Sequence, residues 1–183
     1  MNQVLRRTRI GFVVIKLLVG GAPYFLMRVN PKWKDVNFIG GHEKDRDGGN
    51  LGKTARRELW EEVPSIRSYK DFSLEPLTPV IHHGPILSRS RGNEVEYDVQ
   101  FFLLRISGAL EALVEMPSPR TKNVLILERD LLTEGRVRAS GLVQLLDGLL
   151  TGGLASVPYS SPVELRIPRM TLADHSQLRF AWK

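Results

Sequence analysis

Apolar and polar positions along this chain fall into short blocks whose period changes several times. Ile10 to Ile15 is apolar throughout and rich in β-branched residues, which predicts a buried strand. Tyr24 to Val29 predicts a second strand, paired with the first as a hairpin across the Gly20-Gly21 turn. Trp33 to Ile39 leads a short strand into the Gly40-Gly41 pair. Leu51, Ala55, Leu59 and Val63 then repeat at i, i+4, the stripe of an amphipathic helix. Leu77 to Ile81 and Pro85 to Ser88 are short strand candidates broken by prolines. Glu94 to Ile106 carries the longest strand signal, with Val95, Tyr97, Val99, Phe101 and Leu103 alternating. Asn123 to Leu127 predicts another strand, followed by a short helix near Arg129 to Leu132. Gly141 to Leu150 predicts a helix with Leu142, Leu145, Leu146, Leu149 and Leu150 on its buried face. From Thr151 to Lys183 the signals weaken around Pro158, Pro162 and Pro168, and three readings stay open: an extra strand pair, an oligomer contact such as a homodimer, or loose order. Strands in this order around one charged helix predict an α/β fold, a mixed sheet between helices in an α/β/α sandwich. Residues 1–150 are expected to form the main domain, with 151–183 an extension of it.

The charged helix carries the chemistry. Asn50 or Asp47 can cap its N-terminus, and Pro64 stops it by pushing the preceding residue out of the α region. Glu58, Glu61 and Glu62 stand at i, i+3 and i+4. They fall within about 100° of arc on one helical face. Like charges at this spacing cost stability unless a cation lies between them. A hard divalent ion such as Mg²⁺ takes oxygen ligands and keeps open positions for water and phosphates, so it would reward the arrangement. Arg57 lies one turn before Glu61 and can pair with it, fixing its rotamer. A solvated, salt-bridged surface helix would fit the same string. The Gly40-Gly41 pair and the acidic loop after it shift the balance toward a site.

Together these residues resemble the Nudix box, G-x5-E-x7-R-E-U-x-E-E-x-G-U with U aliphatic. Gly41 matches the opening glycine, Arg57-Glu58-Leu59 the R-E-U, and Glu61-Glu62 the paired glutamates. The chain departs from the pattern in three ways. Two additional residues lie between Gly41 and Arg57, Asp47 stands in place of the loop glutamate, and Pro64-Ser65 replaces the closing glycine and aliphatic residue. The resemblance implies a Nudix-type α/β/α sandwich and a hydrolase of pyrophosphate linkages in nucleoside diphosphate derivatives. Mg²⁺ or Mn²⁺ held by Glu58, Glu61 and Glu62 would neutralise phosphate oxygens and lower the pKa of a bound water. Gly40 and Gly41 would let the backbone approach ligand or metal without Cβ interference. In the family a carboxylate of the box or of a later loop acts as the base. The later candidates here are Glu111 and Glu115, and of the two Glu115 is carried as catalytic, with Arg57, Glu58, Glu61 and Glu62.

Composition changes this picture little. With 183 residues, 42% hydrophobic and 25% charged, the chain suits a single domain with one core. The absence of cysteine excludes disulfides, thiolate nucleophiles and thiolate metal sites. The net charge of +6 is compatible with a small-molecule nucleotide substrate. Lys and Arg are scattered, so nucleic acid is disfavoured as a partner, capped RNA ends staying open. Arg6, Arg7 and Arg9 before the first apolar run look briefly like a signal peptide, but Lys16 interrupts that run and a turn follows. The run is too short to span a membrane, and a cytoplasmic location is expected.

Other residues invite a role and are declined. His82 and His83 are adjacent in a strand and point to opposite faces. His42 suits a loop role as well as a phosphate contact. Trp60 lies away from the carboxylates, on a packing or interface side. Phe72, Tyr97, Phe101 and Phe102 read as core before base-stacking residues. Gly48 to Thr54 echoes a phosphate loop, but its first glycine would have to be at Asp47, so Lys53 is assigned to the solvent side. Three functions then stand beside each other: a metal-dependent hydrolase, a nucleotide-binding sensor of the same fold without turnover, and a structural domain. The intact Arg57, Glu58, Glu61 and Glu62 set favours the first.

Overall fold

A computed structural model of the chain describes residues 6–30, 32, 34–64, 66, 72–87, 93–107, 123–133 and 136–165. Among these residues the order is β1 (Arg6–Val14), β2 (Lys16–Val19), β3 (Ala22–Asn30), β4 (Asp35–Asn37) and β5 (Ile39–His42), followed by α1 (Leu51–Glu62). Then come β6 (Phe72–Pro76), β7 (Ile81–Leu87), β8 (Glu94–Ile106), β9 (Asn123–Leu127), α2 (Glu128–Leu132) and α3 (Gly141–Leu149). Short 3₁₀ turns lie at Asp45–Asp47 and Gly153–Ser156.

Two sheets form the middle layer. The first is mixed, ordered β5-β1-β8-β6, with β7 also paired to β8; β1 and β8 run parallel, from Arg6↔Val95 to Val14↔Leu103. The second is antiparallel, β2-β3-β4 with β9 on β3. Helix α1 covers one side, where Leu51, Ala55, Leu59 and Val63 pack with Val13, Ile15, Phe102, Leu104 and Ile106. The opposite core joins Ile10, Phe12, Val14, Val99, Phe101 and Leu103 to Leu131 of α2 and to Val143 and Leu146 of α3. Alternation along β1 and β8 thus sends successive side chains to opposite layers. It also explains the unbroken apolar stretch Phe101 to Leu104, which is covered on both faces.

The predicted strands from Glu94 to Ile106 and from Asn123 to Leu127 appear with those bounds. The first hairpin differs. The N-terminal apolar run does not pair with β3 as one strand. The chain turns at Ile15, leaving β1 in the mixed sheet, and β2 makes the hairpin with β3 across Gly20 and Gly21. Both glycines have left-handed φ, +55° and +76°, as a two-residue hairpin loop requires. Residues 11 to 17 are all buried, so hydrophobicity alone carries no mark of the corner. The expected strand before the glycine pair is likewise divided, β4 joining one sheet and β5 the other; Trp33 lies outside the described residues.

Pro76 ends β6, and Leu77 to Val80 form a bend instead of the expected strand. β7 runs through Pro85 with a register shift between His83 and Ile86, where a missing N–H is tolerated. On α3 the buried stripe is Val143 and Leu146, flanked by Leu142, Leu145 and Leu150; Leu149, expected inside, is 46% exposed. Beyond α3, Leu154 and Val157 enter the core opposite α1, and Leu165 bridges Val19 of β2. The predicted features beyond residue 165 lie outside the described residues. Among those described, no helix is long and apolar enough to cross a membrane.

Candidate active site

Close packing against α1 starts at Gly11. A Cβ there would lie 2.6 Å from the Leu51 carbonyl oxygen and 3.1 Å from the Ala55 nitrogen, so the helix rests directly on β1. Asn50 caps it, its side chain accepting from the Lys53 N–H at 3.1 Å. The loop before it coils into the Asp45–Asp47 turn and leaves through Gly48 and Gly49, both left-handed at φ +62° and +77°. That path absorbs the longer loop and brings Asp47 back under the helix.

Asp47 is 3% exposed and holds four polar groups together. It accepts from Arg57 Nε at 3.1 Å and Arg57 Nη2 at 2.9 Å, from Thr54 Oγ1 at 3.1 Å, and from the Lys44 N–H at 3.0 Å. The Arg57 hydrogen bonds outweigh the cost of burial and hold the Asp47 carboxyl down at about 2. The same bonds to Asp47 raise Arg57 above its ordinary value, against the opposing effect of burial. Arg57 Nη2 also donates to the His42 carbonyl at 2.8 Å, and Nη1 reaches Glu58. Its contact with Glu61, the pairing expected from spacing, is the long one at 3.5 Å. Arg57 is therefore chiefly a bolt between helix and loop, with Asp47 as its main partner.

The glutamates occupy three different settings. Glu58 is buried beneath Gly41, where a Cβ would stand 2.7 Å from the Glu58 carboxyl carbon. Glu62 Oε2 accepts from the Gly40 N–H at 3.2 Å, its Oε1 pairs with Arg28 of β3, and its backbone carbonyl accepts from Asn123 Nδ2 at 2.7 Å. The Glu61 side chain is 40% exposed, 2.9 Å from Arg46 and 3.5 Å from Lys44. Partial burial raises the Glu61 carboxyl, and Lys44 and Arg57 together more than offset it, leaving it below its usual value. Gly40, at φ +155°, sits against the Gly11 carbonyl oxygen, which a Cβ would approach to 2.4 Å. The space beside both glycines is thus filled by the protein's own atoms.

The donor chemistry suits a hard divalent ion, since all three groups are carboxylates on one helix beside a glycine strand. Among the described residues, however, no three acidic or histidine side chains converge at metal-binding spacing. Each glutamate instead has a basic side chain against it. Glu111 and Glu115 lie outside the described residues.

The remaining candidates stand elsewhere. His82 is exposed and pairs with Asp98 at 2.6 Å, beside Arg7. Trp60 is 38% exposed, with Arg56 above it and above Phe72. Phe101 stacks on Phe12 in the core, Phe102 is buried against α1, and Lys53 faces solvent. Sequence reasoning missed the anchoring role of Asp47, although an acid set directly before paired glycines was its visible signal. It also missed Arg28, which no local pattern marks.

No family model and no curated protein matches the sequence. Solved structures do. Shewanella oneidensis NrtR is 16% identical with a TM-score of 0.54, over 75% of this chain and 59% of NrtR. A mutT/nudix family protein from Listeria innocua is 15% identical (TM-score 0.45, 73% of this chain and 84% of that one). C. elegans Ap4A hydrolase is 16% identical (TM-score 0.40, 55% and 69%). The chain thus spans about 59% of the length of NrtR. The likeness to NrtR is one of fold: a Nudix-type α/β fold with a mixed sheet.

Proposed function

We propose that this chain is a divalent-metal-dependent hydrolase cleaving a pyrophosphate linkage in a nucleoside diphosphate derivative, with Glu58, Glu61 and Glu62 as the metal ligands. One observation carries the reading: Asp47 and Arg57 lock the loop onto the helix that bears all three carboxylates. Such a lock fixes the positions of the carboxylates before substrate arrives, which a solvated surface helix does not require. When bound, Mg²⁺ or Mn²⁺ supplies charge neutralisation at the phosphate oxygens and a water of lowered pKa. Arg57 orients Glu58 from one side, and the Gly40 N–H orients Glu62 from the other. Lys44 and Arg46, both well exposed beside Glu61, are placed to meet a polyanionic substrate.

The test is a screen of nucleotide pyrophosphates with Mg²⁺ or Mn²⁺, followed through the product phosphates. EDTA should abolish turnover and added metal restore it. Glu61→Gln and Glu62→Gln keep shape, remove charge, and should each lower turnover by at least about 10²-fold with the fold intact. Near wild-type hydrolysis by both variants would remove the helix from the active site.

A second reading, a nucleotide-binding module of the same fold without turnover, draws on the cations already seated on the three glutamates. It expects a nucleotide pyrophosphate to raise the melting temperature by binding linkage and to be recovered unchanged after long incubation with metal.

A further inference from the structure

Most sheet edges of this protein are closed by specific contacts. On β2 the outward groups belong to Lys16 and Leu18. The Lys16 carbonyl accepts from the Ser160 N–H at 2.8 Å, the Lys16 N–H donates to Ser160 Oγ at 3.1 Å, and the Leu18 carbonyl accepts from the Leu165 N–H at 2.8 Å. On β4, the Val36 N–H donates to the Arg138 carbonyl at 3.0 Å and the Val36 carbonyl accepts from the Ser140 N–H at 2.9 Å. On β5, side chains of α1 close the edge: Glu62 accepts from the Gly40 N–H and Arg57 donates to the His42 carbonyl. β6 and β7 both lie on β8; they carry Pro76 and Pro85, and β7 is broken further by its register shift between His83 and Ile86. Prolines and irregularities of this kind block the addition of another strand.

β9 has none of these devices. Its residues, Asn123 to Leu127, include no charge, proline or glycine, and they pair with β3 in continuous register. The neighbouring ladder fixes which groups β9 turns outward. The Leu26 N–H donates to the Ile15 carbonyl at 3.0 Å, on the β2 side of β3. Phe25 and Met27 therefore turn their backbone groups to β9, where their register partners are Ile126 and Val124. The N–H and C=O of Leu125, the Leu127 N–H and the Asn123 C=O face the other way. Among the described residues no backbone group pairs with them. Asn123, Leu125 and Leu127 are each half-buried, so the edge is open to solvent and apolar at its centre.

We infer that the outer edge of β9 is a dimerisation edge, pairing antiparallel with β9 of a second copy of this chain about a two-fold axis at Leu125. Two features select a second copy over a foreign strand. The outward groups are symmetric about Leu125, so it exchanges two hydrogen bonds with its counterpart while each Leu127 N–H meets an Asn123 carbonyl. Val124 then lies opposite Ile126 on both sides of the axis, a β-branched match in the closer, non-hydrogen-bonded positions. The strand also has no charged side chain by which a partner of opposite charge could be held. Its five residues form about 17 Å of edge, which covers less than the about 1,200 Å² of a stable interface. The dimer is therefore reversible, with a Kd on the order of 10–100 µM. Asn123 also donates to the Glu62 carbonyl, which sets the second copy beside the end of α1. Such pairing needs no metal and serves a hydrolase and a binding module alike.

The experiment is sedimentation velocity of the full chain from about 1 to about 500 µM, joined to amide hydrogen exchange read by NMR. Wild type should pass reversibly from monomer to dimer across that range. The Leu125 and Leu127 amides should exchange fast in dilute protein and at least about threefold slower at the highest concentration, while those of Val124 and Ile126, already bonded to β3, stay slow throughout. Leu125→Pro removes the central N–H, which β3 does not use, and should raise Kd at least about tenfold through the two hydrogen bonds lost at the axis. If urea unfolding shows that proline compromises the fold, Leu125→Lys takes its place, because it sets like charges directly opposite each other. Leu149→Lys, at an exposed position of α3, should leave Kd unchanged. A monomer at every concentration overturns the assignment, as does a dimer that keeps its Kd in both Leu125 variants or dissociates equally in Leu149→Lys. Protein that stays monomeric yet binds a peptide of residues 123–127 takes a foreign strand at this edge, and that also overturns the second copy.

Discussion

Replacing Asp47 by asparagine keeps its shape and removes the charge that fastens the loop to α1. The wild-type carboxyl is held at about 2 against an ordinary 3.8, chiefly by its hydrogen bonds from Arg57. At 1.36 kcal/mol per unit that difference corresponds to about 2 kcal/mol of stability at neutral pH. Asp47 is buried, so solvent screening takes little from this figure. The sign follows from the depressed value. The stabilisation is complete above the unfolded value near 3.8 and disappears as pH falls through the folded value near 2. Asparagine does not titrate in this range. Urea unfolding of wild type and Asp47→Asn, extrapolated to water at a series of pH values, measures the difference directly. At pH 7 the variant should be less stable by at least about 2 kcal/mol, since Arg57 also loses a charged acceptor within a buried network. Between pH 5 and pH 2 the gap should narrow by about 2 kcal/mol as the wild type loses its advantage. A gap that stays constant or widens over that interval would refute the assignment of Asp47 as the charged anchor.

Two further substitutions probe the same architecture. Arg57→Lys should lower kcat at least about tenfold with a smaller change in KM, because one ammonium cannot reach Asp47, Glu58 and the His42 carbonyl together; a pure KM effect in steady-state kinetics would place Arg57 on the substrate instead. Gly11→Ala and Gly41→Ala should separate stability from activity. At Gly11 the obstacle is backbone, the Leu51 carbonyl at 2.6 Å, and urea unfolding should show a loss of about 1–3 kcal/mol. At Gly41 it is the end of the Glu58 side chain at 2.7 Å, so Glu58 should shift and turnover fall while stability changes less. Equal stability losses in the two alanine variants would contradict this division.

What was legible in the sequence is what local chemistry determines. The i, i+4 stripe, the Asn50 cap and Pro64 define α1 because periodicity and capping act within a few residues. Alternation defines β8 for the same reason. The corner at Ile15 was not legible, since a run buried on both sides reads alike whether it continues in one sheet or passes into another. Lys16 shows the limit from the other side. It stood out as an interruption of an apolar run, and its ammonium is in fact inside the protein. There it donates to the Leu154 and Ala155 carbonyls at 3.1 and 2.9 Å and pairs with Glu128 at 2.6 Å. Those partners come from more than a hundred residues away, so spacing could not foretell them. Arg28 and Asn123 meet Glu62 only because β3 and β9 are neighbours beside the end of α1. The helix announced its carboxylates; the sheet supplied what surrounds them.

That division bears on how the site can be used. Asp47, Glu58, Glu61 and Glu62 are matched by Arg28, Lys44, Arg46 and Arg57, so the cluster is balanced in charge without any added ion. The Asp47–Arg57 pair is buried and tied on both sides, and it sets geometry. The other three bases approach Glu61 and Glu62 from solvent. A hydrolase and a binding module on this frame would share every fixed contact and differ in whether a bound nucleotide is turned over. Cleavage of a nucleotide pyrophosphate in the presence of metal, against its recovery intact with a raised melting temperature, is thus the measurement on which the two readings separate.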